Sequence, residues 1–192
     1  QPNARVVVEP AQPMAAHLAT IRPWHRVTDS IAYTQGLMLD TLATLIINRR
    51  LEERARSGAR YLAAQVSTDK PSRTAEVTNI TVIPLNNQWR EAIDDARAIV
   101  ATAQTSPPTE AEIAREFADV ESYLTRELAN AQNEPGTKQA DDLLNAVDIG
   151  ETTTSPDHAL EIWRSTRSLA TPQHMLAVTR AQFAGPVQRS MR

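Results

Sequence analysis

Four histidines, His17, His25, His158 and His174, are the side chains of this 192-residue chain best suited to metal or proton chemistry near neutral pH. A zinc site needs neutral imidazoles on one face, usually at helical spacing and with a carboxylate nearby. His17 and His25 stand eight residues apart with Pro23 between them, and no two histidines are three or four residues apart. The stretch DHALEIW, residues 157 to 163, comes nearest to a metal motif. The inverted zinc motif H-x-x-E-H puts two imidazoles one helical turn apart, with a glutamate to activate water. Here His158-Ala159-Leu160-Glu161 is followed by Ile162 in place of the second histidine, so one ligand is missing. These residues read as surface positions on a capped helix.

Other chemistries find no foothold. No G-x-S-x-G elbow is present for a serine nucleophile, and the five glycines are too scattered for a phosphate-binding loop or a dinucleotide fingerprint. Asn79-Ile80-Thr81 has the form of a glycosylation sequon but falls within an expected strand. Asp94-Asp95 and Asp141-Asp142 are neighbours in sequence, which on a helix sends the two carboxylates in different directions; both pairs are expected to be solvated. No cysteine is present, which excludes disulfides, thiolate metal sites and a cysteine nucleophile and suits cytoplasm and periplasm equally.

Composition narrows the setting. Hydrophobic residues form 41% of the chain and aromatics only 4%, so the core must be built from Ala, Leu, Ile and Val, which favours close helix packing. The net charge of −3 is spread with mixed signs, and no basic run is long enough to track a phosphate backbone, so nucleic acid is not an expected partner. No apolar stretch approaches the roughly 18 to 20 residues a membrane span needs. The start, QPNARVVVEP, lacks the basic and apolar blocks of a signal peptide and reads as the interior of a longer protein or as a processed end.

Periodicity lays out the elements. Val6 to Val8 and His17 to Ile21 read as short strands bounded by Pro10, Pro13 and Pro23. From about Asp29 to Arg56 apolar residues recur at helical steps (Met38, Leu39, Leu42, Leu45, Ile46), and Gly58 stands where a left-handed terminator belongs. Tyr61–Ser67 and Val77–Ile83 read as an antiparallel pair, with Ile80 and Val82 on one face. Two helices follow, carrying the stripes Trp89, Ile93, Ala96, Val100 and Ile113, Phe117, Val120, Leu124; Thr109 and Glu112 form a capping box for the second. Glu134-Pro135-Gly136 ends that helix, and Ser155-Pro156 and Thr171-Pro172 open two more. The expected fold class is α+β, a small and largely antiparallel sheet covered on one face by helices. Residues 1–185 are expected to form one domain and 186–192 a frayed C-terminal tail.

The order and spacing of these segments carry a resemblance. DTLATLIINRRLEERARSGARYLAAQV (Asp40 to Val66), then a strand pair, then WREAIDDARAIV, then PPTEAEIAREFADVESYL resembles the insulinase and pitrilysin family of zinc metallopeptidases, the inverzincins. Arg50-Leu51 matches an R-L element at the end of the family's long helix, Tyr61 the aromatic residue opening the next strand, and Thr109 to Ile113 a T-x-x-E-(I/L) helix start. Ser168 to Gly185 is similar to the family's last helix, which a closing strand usually follows. The likeness runs from about Arg5 to Gly185.

The resemblance implies homologous domains that enclose a chamber, one bearing H-x-x-E-H and zinc while the others serve as walls and substrate grips. Ile31 to Leu45 holds no histidine, so this chain looks like a non-zinc domain: no catalytic or metal residues of its own, zinc in a partner domain or subunit, and peptide as substrate. Such domains are often exported to the periplasm, and the cytoplasm stays open. The edge of Tyr61–Ser67 or Val77–Ile83 is expected to receive an extended peptide as an added strand. In some members an arginine and, seven residues later, a tyrosine from a far domain bond the scissile carbonyl, and Arg54 and Tyr61 match that spacing as candidate substrate-binding residues. Their other reading puts Arg54 on an exposed helix face and Tyr61 in the strand beneath it. Rivals to the whole account are a stand-alone helical scaffold or interaction module and, more remotely, an independent hydrolase.

Overall fold

The structure, a computed structural model, describes residues 14–71, 74–131, 144 and 154–191. Its elements run β1 (Ala16–Pro23), α1 (Ile31–Arg56), β2 (Tyr61–Asp69), β3 (Ala75–Pro84), α2 (Trp89–Thr105), α3 (Glu110–Asn130), α4 (Pro156–Thr166), α5 (Pro172–Gln182) and β4 (Val187–Met191). The strands form a four-stranded sheet in the order β2-β3-β1-β4, antiparallel throughout. The α+β fold class stands. The segments Val6 to Val8, Glu134 to Gly136 and Asp141-Asp142 lie outside the described residues.

The chain divides into two compact units. The sheet unit holds β1, residues 47–106 and the chain from Arg180 onward; the helical unit holds residues 24–46 and 107–179. Side chains in β1 and β3 alternate as the two-residue strand period requires, sending Ala16, Leu18 and Thr20 and then Thr78, Ile80 and Val82 into the interior. They meet Ile47 and Leu51 from α1 and Ala92, Ala96, Val100 and Ala103 from α2. The expected α2 stripe is thereby corrected: Trp89 and Ile93 are only half buried, and the most deeply buried line runs along the alanines. A methyl side chain lets the helix backbone lie close on the sheet, while the Trp89 ring turns to the Arg90 guanidinium, 4.0 Å from its centre. In the helical unit Leu39, Leu42, Ala43 and Ile46 pack with Ile113, Phe117, Trp163, Ala170 and Met175.

Helix ends follow their signals closely. Gly58 has φ +96°, its amide bonds the Ala55 carbonyl, and the Ala59 amide reaches back to Arg54, which is the Schellman pattern closing α1. Thr109 and Glu112 form both bonds of the capping box. Ser155 precedes Pro156 at the start of α4 without making a side-chain cap bond, and Thr171 accepts from the His174 amide at the start of α5.

Two expectations fail. The C-terminal tail is no frayed end, because Val187–Met191 forms β4 and pairs with β1 from Thr20↔Val187 to Ala16↔Met191. Pro186 and the polar residues of VQRSM hide an edge strand whose stability comes from main-chain bonds to one neighbour, with no apolar alternation to announce it. Gly185, at φ +144°, makes the approach possible: a Cβ there would stand 3.0 Å from the Ile21 carbonyl oxygen. The second failure concerns the edges. β3 lies between β2 and β1 and cannot accept an added strand, which leaves β2 and β4 as the outer strands among the described residues.

Candidate functional site

The two residues singled out by spacing sit at the junction of α1, β2 and α2. Because the Schellman turn reverses the chain within a few residues, Tyr61 is carried back under the helix it follows. It is 1% exposed, and its hydroxyl donates to the Leu51 carbonyl at 2.8 Å. Burial first, and the Asp95 carboxylate second, push its pKa up to about 12, against a smaller lowering by Arg54. The phenol therefore stays protonated and acts as a fixed donor to the main chain.

Arg54 points elsewhere. Its guanidinium donates to Asp95 Oδ1 at 3.1 Å, while Asp95 Oδ2 accepts the Arg60 amide at 2.9 Å. Partial burial would by itself raise the Asp95 pKa; the Arg60 amide and the Arg54 guanidinium outweigh it and hold the carboxyl below the usual aspartate range. The side chains of Arg54 and Asp95 are 37% and 23% exposed, so the pair sits at the rim of the interior. The structure thus brings Arg54 and Tyr61 into one cluster, with the Asp95 carboxylate held by Arg54 and the tyrosine hydroxyl turned inward.

Asp95 corrects the expectation of a solvated aspartate pair. The signal was present, since Asp95 lies three residues after Ala92 and directly before Ala96 and so flanks the buried line of α2. Asn48 was also passed over. Its carboxamide accepts from the Val66 amide at 2.6 Å and donates to the Val66 carbonyl at 2.9 Å. Its position three residues before buried Leu51 could have marked it as a polar group on an inward face.

The histidines do not converge. His17 Nδ1 lies 3.1 Å from the Thr81 hydroxyl in the sheet unit. His158 faces Glu161 at 3.4 Å with both side chains at least half exposed, and His174 Nδ1 is 2.9 Å from the Leu169 carbonyl. Among the described residues, no three His, Asp or Glu side chains are grouped to hold a metal ion. An open groove of about 400 Å³ lies in the sheet unit, lined by Leu18, Ile80, Val100 and Phe183 together with Asp94 and Arg97. No helix among the described residues is long and apolar enough to cross a membrane.

No family model and no curated sequence matches the chain. Solved structures do. The periplasmic protease PqqL from Escherichia coli superposes with a TM-score of 0.80 at 14% identity over 91% of this chain. The fold is that of insulinase-type protease domains. A predicted insulinase family protease from Yersinia pestis gives 0.78 at 13% identity over 95% of the chain. The inactive peptidase domain of a candidate zinc protease from Bordetella parapertussis gives 0.64 at 12% identity, covering 97% of this chain and 93% of that one. The chain spans only 19% of the Escherichia protein and 40% of the Yersinia protein, and so corresponds to one portion of them.

Proposed function

We propose that this chain is a catalytically silent domain of an insulinase-type zinc metalloendopeptidase. It helps enclose a chamber and position peptide for a zinc site carried by a homologous domain or subunit. The observation that carries the reading is the first long helix. In an insulinase-type fold, α1 runs from Ile31 to Arg56 without a histidine, so it offers no imidazole where the family places its pair. The likeness over nearly full length to an inactive peptidase domain points the same way. A periplasmic setting is part of the proposal, taken from the Escherichia neighbour.

Within this reading Arg54 and Tyr61 are ties between α1, β2 and α2. Tyr61 is committed to Leu51 and Arg54 to Asp95, which accounts for their spacing without a substrate. The purified chain, equilibrated with zinc and dialysed, is expected to retain no stoichiometric metal by plasma mass spectrometry and to leave unfolded casein intact. Stoichiometric zinc together with casein cleavage would overturn the proposal.

A further inference from the structure

We infer that Asn48 guards the outer edge of β2 against the addition of another strand. Among the described residues β2 has β3 as its one strand neighbour. An outer strand presents the amide and carbonyl of every second residue away from its neighbour, and such a row is a template for a further chain. Val66 identifies that row here, because both its main-chain groups are engaged by Asn48 at 2.6 and 2.9 Å and not by β3. In an antiparallel ladder, residues alternate between pairs that exchange both bonds and pairs that exchange none. Ala64 and Thr68, paired opposite Val82 and Thr78 as Val66 is opposite Ile80, therefore turn their amides and carbonyls to the same outer side.

An incoming strand would engage Ala64, Val66 and Thr68 in succession, and the middle position is filled. The carboxamide makes the two bonds that one residue of a neighbouring strand would make, then ends. Asn48 stands on α1 one turn before Leu51, whose carbonyl holds the Tyr61 hydroxyl, so helix and strand are fastened at two places. Towards its start β2 is irregular as well, with a register shift between Tyr61 and Ala63 that breaks the ladder. The excluded partners are an extended peptide and the β2 of a second copy of this chain. This inference stands whether or not the chain serves a protease; if it does, β2 is not where its substrate adds a strand.

The test is residue-resolved hydrogen exchange on the 192-residue chain and on Asn48→Ala, each with and without a synthetic peptide of sequence YLAAQVSTD. The Val66 amide should exchange about five- to tenfold faster in Asn48→Ala, as expected for one lost hydrogen bond, while Val82 stays unchanged. The peptide should slow exchange at Ala64 and Thr68 in the variant and leave the unaltered chain as it was. Should Asn48→Ala not fold, Asn48→Ser removes the carboxamide, keeps a polar side chain at that point of α1, and should admit the peptide likewise. Unchanged Val66 exchange in Asn48→Ala, peptide protection in the unaltered chain, or no protection in a folded variant would each overturn the inference.

Discussion

In the sheet unit, buried polar groups reach across elements. The Tyr61 hydroxyl goes to the α1 main chain, Asn48 goes to β2, and the Thr78 hydroxyl donates to the Gln182 carbonyl at 2.8 Å, a carbonyl that Arg22 also engages. In the helical unit most hydroxyls fold back on their own helix instead: Thr166 donates to Ile162, Thr44 to Asp40 and Thr41 to Leu37. The main exception is Trp163, whose indole N–H donates to the Phe117 carbonyl at 3.2 Å while its ring stacks on Phe117 at 4.5 Å. The contrast follows from the elements. A helix satisfies its own backbone, so helices can associate through apolar volume; a strand must find partners outside itself, and side chains from neighbouring elements supply some of them.

Mutations in the two units should therefore differ in kind as well as size. The largest expected loss is in the helical unit. Trp163→Ala removes a side chain 1% exposed and should destabilise by ~3–5 kcal/mol in urea unfolding, chiefly through the cavity it leaves. Tyr61→Phe, in the sheet unit, keeps the ring and removes the bond to the Leu51 carbonyl, for a loss of about 1 kcal/mol. In an assembled protease the same variant should keep its cleavage rate once folded, since the hydroxyl faces inward. A drop in rate without a change in stability would support Tyr61 as a substrate ligand and blur the contrast.

Smaller effects sharpen the comparison further. Asp95→Asn should weaken the sheet unit by about 1 kcal/mol near neutral pH, a modest figure because the Arg54 partner is over a third exposed to screening water. The sign with pH is fixed by the depressed pKa. Asp95 stabilises fully above its unfolded value near ~3.9, and the contribution is lost as pH falls through the lower folded value, so the gap between wild type and variant should close in acid. Thr109→Ala should cost about 1 kcal/mol by removing the capping hydroxyl of α3. Arg164→Ala, which breaks an exposed pair with Glu121, should change thermal unfolding least, by at most ~0.5–1 kcal/mol.

How far the sequence could be read follows the same division. Stripes in α1 and α3, the Thr109–Glu112 box, the Gly58 turn and the prolines at 156 and 172 are local signals, and each helix starts or stops where they say. β3 was legible because a doubly flanked strand alternates Thr78, Ile80 and Val82 inward. β4 was not, since an outer strand needs only a main chain to pair with, and its partner β1 lies far earlier in the sequence. The ties made by Asn48 and Asp95 were missed for a related reason: they are polar groups beside apolar stripes, and only folding shows which amide stands opposite them. As for Arg54 and Tyr61, their spacing was legible, but the orientation of Arg54 depended on Asp95, forty-one residues further on, and that of Tyr61 on the Leu51 carbonyl above it.

The central claim is that this chain serves a zinc site it does not carry. It is tested most directly by mixing the chain with a separately purified homologous domain or subunit that bears H-x-x-E-H and following cleavage of fluorescently labelled casein. Cleavage by the mixture well above that of the zinc subunit alone, abolished when the subunit's glutamate is replaced, is the predicted result. A rate identical with and without the chain, at concentrations where sedimentation shows the two bound together, would contradict it.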